Sequence, residues 1–202
     1  MSKAVKIEPK DKESSMLENE YIKQFENHNV PESLLLLLEF SNEKAGSDYF
    51  SDGFEFLIES EKHGLKTYSE DELFLNSIVE FAVADGTGST YGFWLKENDQ
   101  TLSSAPIVTF GSEGGFHVVA NNFDELLQIL TFDAEPMIDW DEVCYYKDPD
   151  DYEPSTKNSL YCKWLKDSFS LDPVENADAI VKSAQKNHQV DFKNWVAKYY
   201  QD

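Results

Sequence analysis

The chain has 202 residues, 41% of them hydrophobic, which is enough for one sizeable core. No run approaches the roughly 20 apolar residues that a membrane-spanning helix requires. It carries 39 acidic residues against 17 basic ones, a formal net charge of -22, and every basic residue is lysine. That balance argues against nucleic acid and phosphate as ligands, because the chain has no basic footprint to release counterions and no arginine fork to grip a phosphate or read guanine. What such a surface could attract is a basic protein; the competing reading is that the charge merely keeps the domain in solution.

Residues 1–14 alternate lysine with acid around few apolar positions, the composition of a mobile tail. They contain no apolar stretch that could act as a secretion signal, so a cytoplasmic location and no membrane partner are expected. Ser15 and Glu18 have capping-box spacing and predict a first helix with Tyr21, Ile22 and Phe25 on one face. Pro31 fits the first turn of a second helix running to about Phe40. Its five consecutive leucines, Leu34 to Leu38, cover all sides and predict burial. Residues 41–53 read as a loop, Phe54 to Ile58 as a short strand, Lys62 to Gly64 as a charged turn, and Ser69 to Leu75 as a short helical turn.

Alternation in steps of two then gives two β-hairpins. Val79 to Ala84 pairs with Tyr91 to Leu95, and Ile107 to Phe110 with Phe116 to Ala120, across Asp-Gly and Gly-Gly turns. One face of these strands is apolar and the other partly polar, which predicts an antiparallel sheet with helices on one side and a half-exposed opposite face. Asn122 and Glu125 form another capping box, opening a helix with an apolar stripe of Phe123, Leu126, Leu127 and Leu130. Residues 133–153, DAEPMIDWDEVCYYKDPDDYE, then carry nine acids, one lysine, one tryptophan and three tyrosines. Three further helices are predicted: one around Leu160, Tyr161, Trp164, Leu165 and Phe169, one from Pro173 with Asp172 as cap, and one carrying Phe192, Trp195, Val196 and Tyr199. The fold class is therefore α+β. A domain over 15–132 has a central antiparallel sheet flanked by N-terminal helices, and 133–202 adds an acidic, aromatic segment and a helical extension on the same core.

Motifs for chemistry are missing from this chain. In the loop DGTGSTYG, Gly86 and Gly88 would need a glycine where Tyr91 stands, and a strand follows where a dinucleotide fingerprint needs a helix. Asp139 and Asp141 form a DxD that a run this acidic produces by chance, and Asp148 to Glu153 lacks the glycine and distal glutamate of an EF-hand loop. Cys144 and Cys162 are too far apart for a metal-binding pair, and His28, His63, His117 and His188 are scattered. His117 reads as a surface or sheet-face residue. No metal, no cofactor and no enzymatic activity are expected.

The segment from Asp133 to Glu153 is the candidate site. Its acids would attract and orient a basic partner, and its aromatic rings would supply the contact area that dominates interface hot spots. The partner-binding set is Asp139, Trp140, Asp141, Glu142, Tyr145, Tyr146, Asp148, Asp150, Asp151, Tyr152 and Glu153. The competing reading is an acidic loop whose aromatics tuck into the C-terminal helices.

The order of elements in IVEFAVADGTGSTYGFWL and PIVTFGSEGGFHVVANNFDELLQIL, after the leucine-rich helix VPESLLLLLEF, resembles the SUKH superfamily over roughly residues 15–132. The resemblance implies a mixed α+β domain with an antiparallel sheet. It also implies the activity of the bacterial immunity proteins of polymorphic toxin systems: binding and neutralising a cognate toxin, often a nuclease, inside the cell. Other members regulate cell-wall synthesis through protein contacts, so the alternative is a non-catalytic regulator or scaffold. No catalytic residues come with the family. The chain departs from the pattern where Asn42 and Gly46 replace an adjacent Asn-Gly, and in the 70 residues after position 132.

Overall fold

The computed structural model of the protein describes residues 19–25, 28–58, 62–96 and 101–200. Among them, five strands form one antiparallel sheet in chain order: β1 (Glu55–Phe56), β2 (Ile78–Val83), β3 (Thr90–Trp94), β4 (Ile107–Phe110) and β5 (Phe116–Ala120). The two expected hairpins are β2–β3 and β4–β5, within a residue of the predicted bounds. β1 is shorter than Phe54 to Ile58: after Leu57 N–H donates to the Phe81 carbonyl at 3.1 Å, the chain leaves the sheet. The helices are α1 (Glu32–Phe40), α2 (His63–Tyr68), α3 (Glu72–Ser77), α4 (Phe123–Leu130), α5 (Asn158–Phe169) and α6 (Ala177–Val196). Between α4 and α5 lies a separate hairpin of β6 (Pro136–Ile138) and β7 (Val143–Tyr145).

Alternation sorts the sheet's side chains onto two faces. Val79, Phe81, Tyr91, Phe93, Ile107 and Val119 belong to one core, together with side chains of α1, α4, α5 and the start of α6. A register shift between Glu80 and Ala82 turns two successive side chains, Phe81 and Ala82, into this core. Ile78, Trp94, Val108, Phe110 and Val118 face the other way. That face is not half-exposed, as the strand pattern predicts. It lies under α2, α3 and the second half of α6, with Phe192 4.9 Å from the Trp94 ring and Trp195 stacked on Phe74 at 5.2 Å. Each buried ring of this kind contributes about 1.5–3 kcal/mol, so the C-terminal helix is a structural half of the sheet.

Four other expectations change. In α1, Leu34, Leu37 and Leu38 are buried while Leu35 is exposed, so the leucine run has a wet side. The predicted loop at 41–53 opens with a π-helical turn, Ser41–Ala45, closed by Gly46 at φ 64° with its N–H on the Ser41 carbonyl. The charged turn at Lys62 (φ 54°) starts α2, and the helical turn placed at Ser69 to Leu75 is α3, capped by Asp71 on Leu73 N–H. The two helices predicted from Pro173 and around Phe192 are one 20-residue helix that starts at Ala177. Residues 172–174 are instead tied to the end of α4: Gln128 donates to the Asp172 carbonyl at 3.1 Å, and Val174 N–H donates to Thr131 Oγ1 at 3.0 Å.

The predicted tail at 1–14 and the Ser15–Glu18 capping box lie outside the described residues. Tyr21 and Phe25 are buried as their spacing predicts, and the Tyr21 hydroxyl donates to the Phe81 carbonyl at 2.9 Å. Among the described residues, no helix is long and apolar enough to cross a membrane.

Candidate protein-binding surface

The acidic segment folds around the β6–β7 hairpin. At its tip Asp139 Oδ1 accepts the N–H groups of Asp141 at 2.7 Å and Glu142 at 2.8 Å, an Asx-turn that a short acid suits. These donors, Glu142 first and Asp141 second, hold the exposed Asp139 carboxyl below its ordinary range. Trp140 stacks on Tyr200 at 6.0 Å and 13° and lies across Gly114, where a Cβ would stand 2.4 Å from its ring. The residue is nevertheless 49% exposed. Asp141 and Glu142 are exposed beside it.

His117 anchors this tip to the sheet. It is buried on β5, with Nε2 2.7 Å from the Asp139 carbonyl and Nδ1 3.4 Å from Gln189 Nε2. Val118 N–H donates to Gln189 Oε1 at 2.7 Å, so the amide presents its NH2 to Nδ1. Nδ1 must therefore accept, and Nε2 carries the proton and donates to Asp139. Burial lowers the His117 pKa, with Lys193 adding to it and the Asp139 carbonyl and the Asp139 and Asp141 charges opposing.

The unfolded chain thus takes up a proton more readily than the folded one. Stability is full above the unfolded histidine value near ~6.5 and falls as the pH drops through it toward the folded value. His28 and His188, both lowered first by burial, act in the same direction. Urea midpoints of the wild type are expected to fall between about pH 7.5 and 5.5, and those of His117→Gln to fall less steeply. Parallel curves for the two proteins would remove His117 from this role.

Alternation along β7 separates the two adjacent tyrosines. Tyr145 is 6% exposed, shares a hydrogen bond of 2.8 Å with the Tyr91 hydroxyl, and its N–H donates to Asp178 Oδ1 of α6 at 2.9 Å. It therefore leaves the partner-binding set: the inward side of β7 places its ring in the core. Tyr145→Phe is expected to cost about 1 kcal/mol in chemical denaturation by stranding the Tyr91 hydroxyl. An unchanged midpoint would show that this pair contributes nothing. Tyr146 points outward and is 61% exposed.

Beyond β7 the chain turns at Asp148, whose Oδ1 accepts Asp150 N–H at 3.0 Å and whose carbonyl accepts Tyr152 N–H at 2.8 Å. This turn forms one wall of a groove of about 520 Å³. Tyr146, Asp148, Asp151, Tyr152 and Glu153 line it, joined by Asp52, Glu135 and Met137 from outside the predicted set. Asp150 is exposed on the same turn, and Met137 is 58% exposed. The acids crowd one another: burial first, then the Asp52 and Asp85 charges, push the Glu135 carboxyl up against the opposing hydrogen bond from Gly86 N–H. Asp139, Trp140, Asp141 and Glu142 belong to the hairpin tip and do not line the groove.

The floor of the groove is Asp133. It is 1% exposed, and its two oxygens accept four donors: Asp52 N–H at 2.9 Å, Tyr152 Oη at 2.7 Å, Ser155 N–H at 2.8 Å and Ser155 Oγ at 2.6 Å. Its φ of 58° is left-handed, a conformation that aspartate tolerates better than most residues. Sequence reasoning placed Asp133 in the acidic run without singling it out. The local signal is an aspartate three residues past a helix end, and its partner Asp52 is 81 residues away.

Cys144 lies on β7 opposite Met137 and Cys162 on α5; both are free and half-buried, and both thiols are raised first by burial. Among the described residues no group of three or more histidines, cysteines or acids is placed to hold a metal ion. Comparison with protein-family models, with curated proteins and with solved structures gives no match to this chain.

Proposed function

We propose that the protein is an immunity-type inhibitor that binds a cognate, basic toxin domain in the cytoplasm and neutralises it by occlusion. The groove beside β7 is its contact face. The observation that carries this reading is the mixture on that face: Met137 and Tyr146 stand out into solvent, ringed by Asp148, Asp151, Glu153 and Glu135. Acids at the rim speed encounter with a basic surface, and an exposed ring and thioether at the centre slow its departure. The likeness of residues 15–132 to the SUKH superfamily supports the same activity, and in that setting the toxin gene lies immediately upstream.

The test is co-purification of the chain with the product of that neighbouring gene, followed by assay of the toxin in the complex. The expected result is a complex that weakens with salt and a toxin that is silent within it. A toxin that stays active when saturated with this chain, or no complex at low salt, would overturn the proposal.

A further inference from the structure

The single lysine of the acidic segment is placed against aromatic rings. Lys147 Nζ lies 4.0 Å from the centre of the Tyr152 ring and 4.4 Å from that of Phe132, inside the ~6 Å over which a ring face attracts a cation. Both rings are held by groups other than Lys147. The Tyr152 hydroxyl is bonded to buried Asp133, its N–H to the Asp148 carbonyl, and Phe132 packs against the main core. The two rings therefore stay in place when the lysine swings out, and the motion is cheap because only a flexible four-carbon stem moves. Asp148, Asp151 and Glu153 line the same groove as Lys147 and Tyr152. Two fixed ring faces inside an acidic rim form a receptor for a cation of general kind, and at present the chain's own ammonium fills it.

We infer that Phe132 and Tyr152 form a binding site for a cationic side chain, an ammonium or guanidinium presented by the partner, and that Lys147 is the internal occupant it displaces. The inference rests on the inhibitor reading for the source of the cation but not for the site itself. Displacement gives selectivity: an apolar or acidic surface cannot replace Lys147, whereas a lysine or arginine of the toxin exchanges one cation for another. The displaced Lys147 then joins the acids at the rim.

The full chain, Lys147→Ala and Lys147→Met are titrated with tetramethylammonium and, as a neutral probe of similar size, tert-butanol. Ring-proton resonances of Phe132 and Tyr152 and the upfield shift of the probe's methyl protons report binding. Lys147→Ala is expected to take up tetramethylammonium about tenfold more tightly than the wild type. Lys147→Met leaves a neutral chain in the cage and is expected to bind tetramethylammonium more tightly than the wild type but less tightly than Lys147→Ala. Adding Phe132→Leu to Lys147→Ala is expected to remove the gain, with circular dichroism confirming that the double variant is folded. Equal affinity in wild type and Lys147→Ala, or an equal response to tert-butanol, would overturn the site. No toxin enters this experiment, so its failure leaves the inhibitor reading standing. Conversely, a chain that takes up the cation yet captures no toxin loses that reading and keeps the site.

Discussion

Asp133→Ala is expected to lower the unfolding free energy by about 3–4 kcal/mol, the largest effect of any single exchange on the acidic face. The carboxylate is buried and satisfies four donors from three residues, so its loss leaves Asp52 N–H, Ser155 N–H and two hydroxyls without an acceptor. Alanine also meets the left-handed φ of 58°, which costs a further ~1 kcal/mol. Two companions divide the effect. Asp133→Gly relieves the backbone but not the donors, and Asp133→Asn keeps one acceptor oxygen while turning an NH2 toward groups that themselves donate. The expected order of urea midpoints is wild type, then asparagine, then glycine, then alanine. A loss under ~1 kcal/mol for Asp133→Ala would show that water replaces the carboxylate and that it is no keystone. Because Tyr152 hangs on Asp133, the same exchange is expected to loosen the groove wall and weaken partner binding with it.

The sheet was readable because each strand is short and alternates, and because the turns carry their own signals: Gly114 and Gly115 both sit at positive φ, and Asp85 Oδ1 accepts Thr87 and Ser89 N–H in the β2–β3 turn. The helix at Asn122 was readable for the same reason, its side chain accepting Glu125 N–H at 3.0 Å as the capping box predicts. What could not be read is whatever depends on distant partners. The strand pattern looks half-polar because Glu80 lies on the second sheet face, level with Gly92 and Val108, while Thr109 and His117 lie on the first, level with Tyr91. All three are buried, Glu80 accepting from Thr90 Oγ1 and His117 bridging to Asp139 and Gln189. The partners of His117 lie on the β6–β7 hairpin and on α6, and no local pattern announces them.

The candidate face divides in the same way. Exposure of Tyr146 and burial of Tyr145 follow from strand alternation once β7 exists. The β6–β7 hairpin leaves little trace in the sequence because its strands are three residues each and its turn is made by an aspartate side chain and not by glycine. The groove itself joins Asp52 to residues a hundred positions later, through the contact that Asp133 makes.

Reversing Asp148, Asp150 and Asp151 to lysine is expected to reduce the association rate with a basic toxin by about 10–100-fold at low salt and to flatten its salt dependence, with little change in folding stability. All three side chains are exposed. Only Asp148 makes a side-chain bond that shapes the turn, a single contact to Asp150 N–H. Long-range attraction acts before contact, so it appears in the association rate and is screened by ions. Tyr146→Ala is the opposite kind of change. The ring carries no charge, stands 61% exposed in the free chain, and gains its value only when a partner covers it. Its loss is expected to speed dissociation by about tenfold and to leave the association rate and its salt dependence intact. Tyr145 is the internal control, since its ring is already buried and its truncation acts on stability. Measured side by side in surface-plasmon kinetics across a salt series, the two variants separate steering from anchoring. If neither rate moves in either variant, the toxin docks on another face, and the groove beside β7 keeps only the part it plays in holding α4, the hairpin and α5 together.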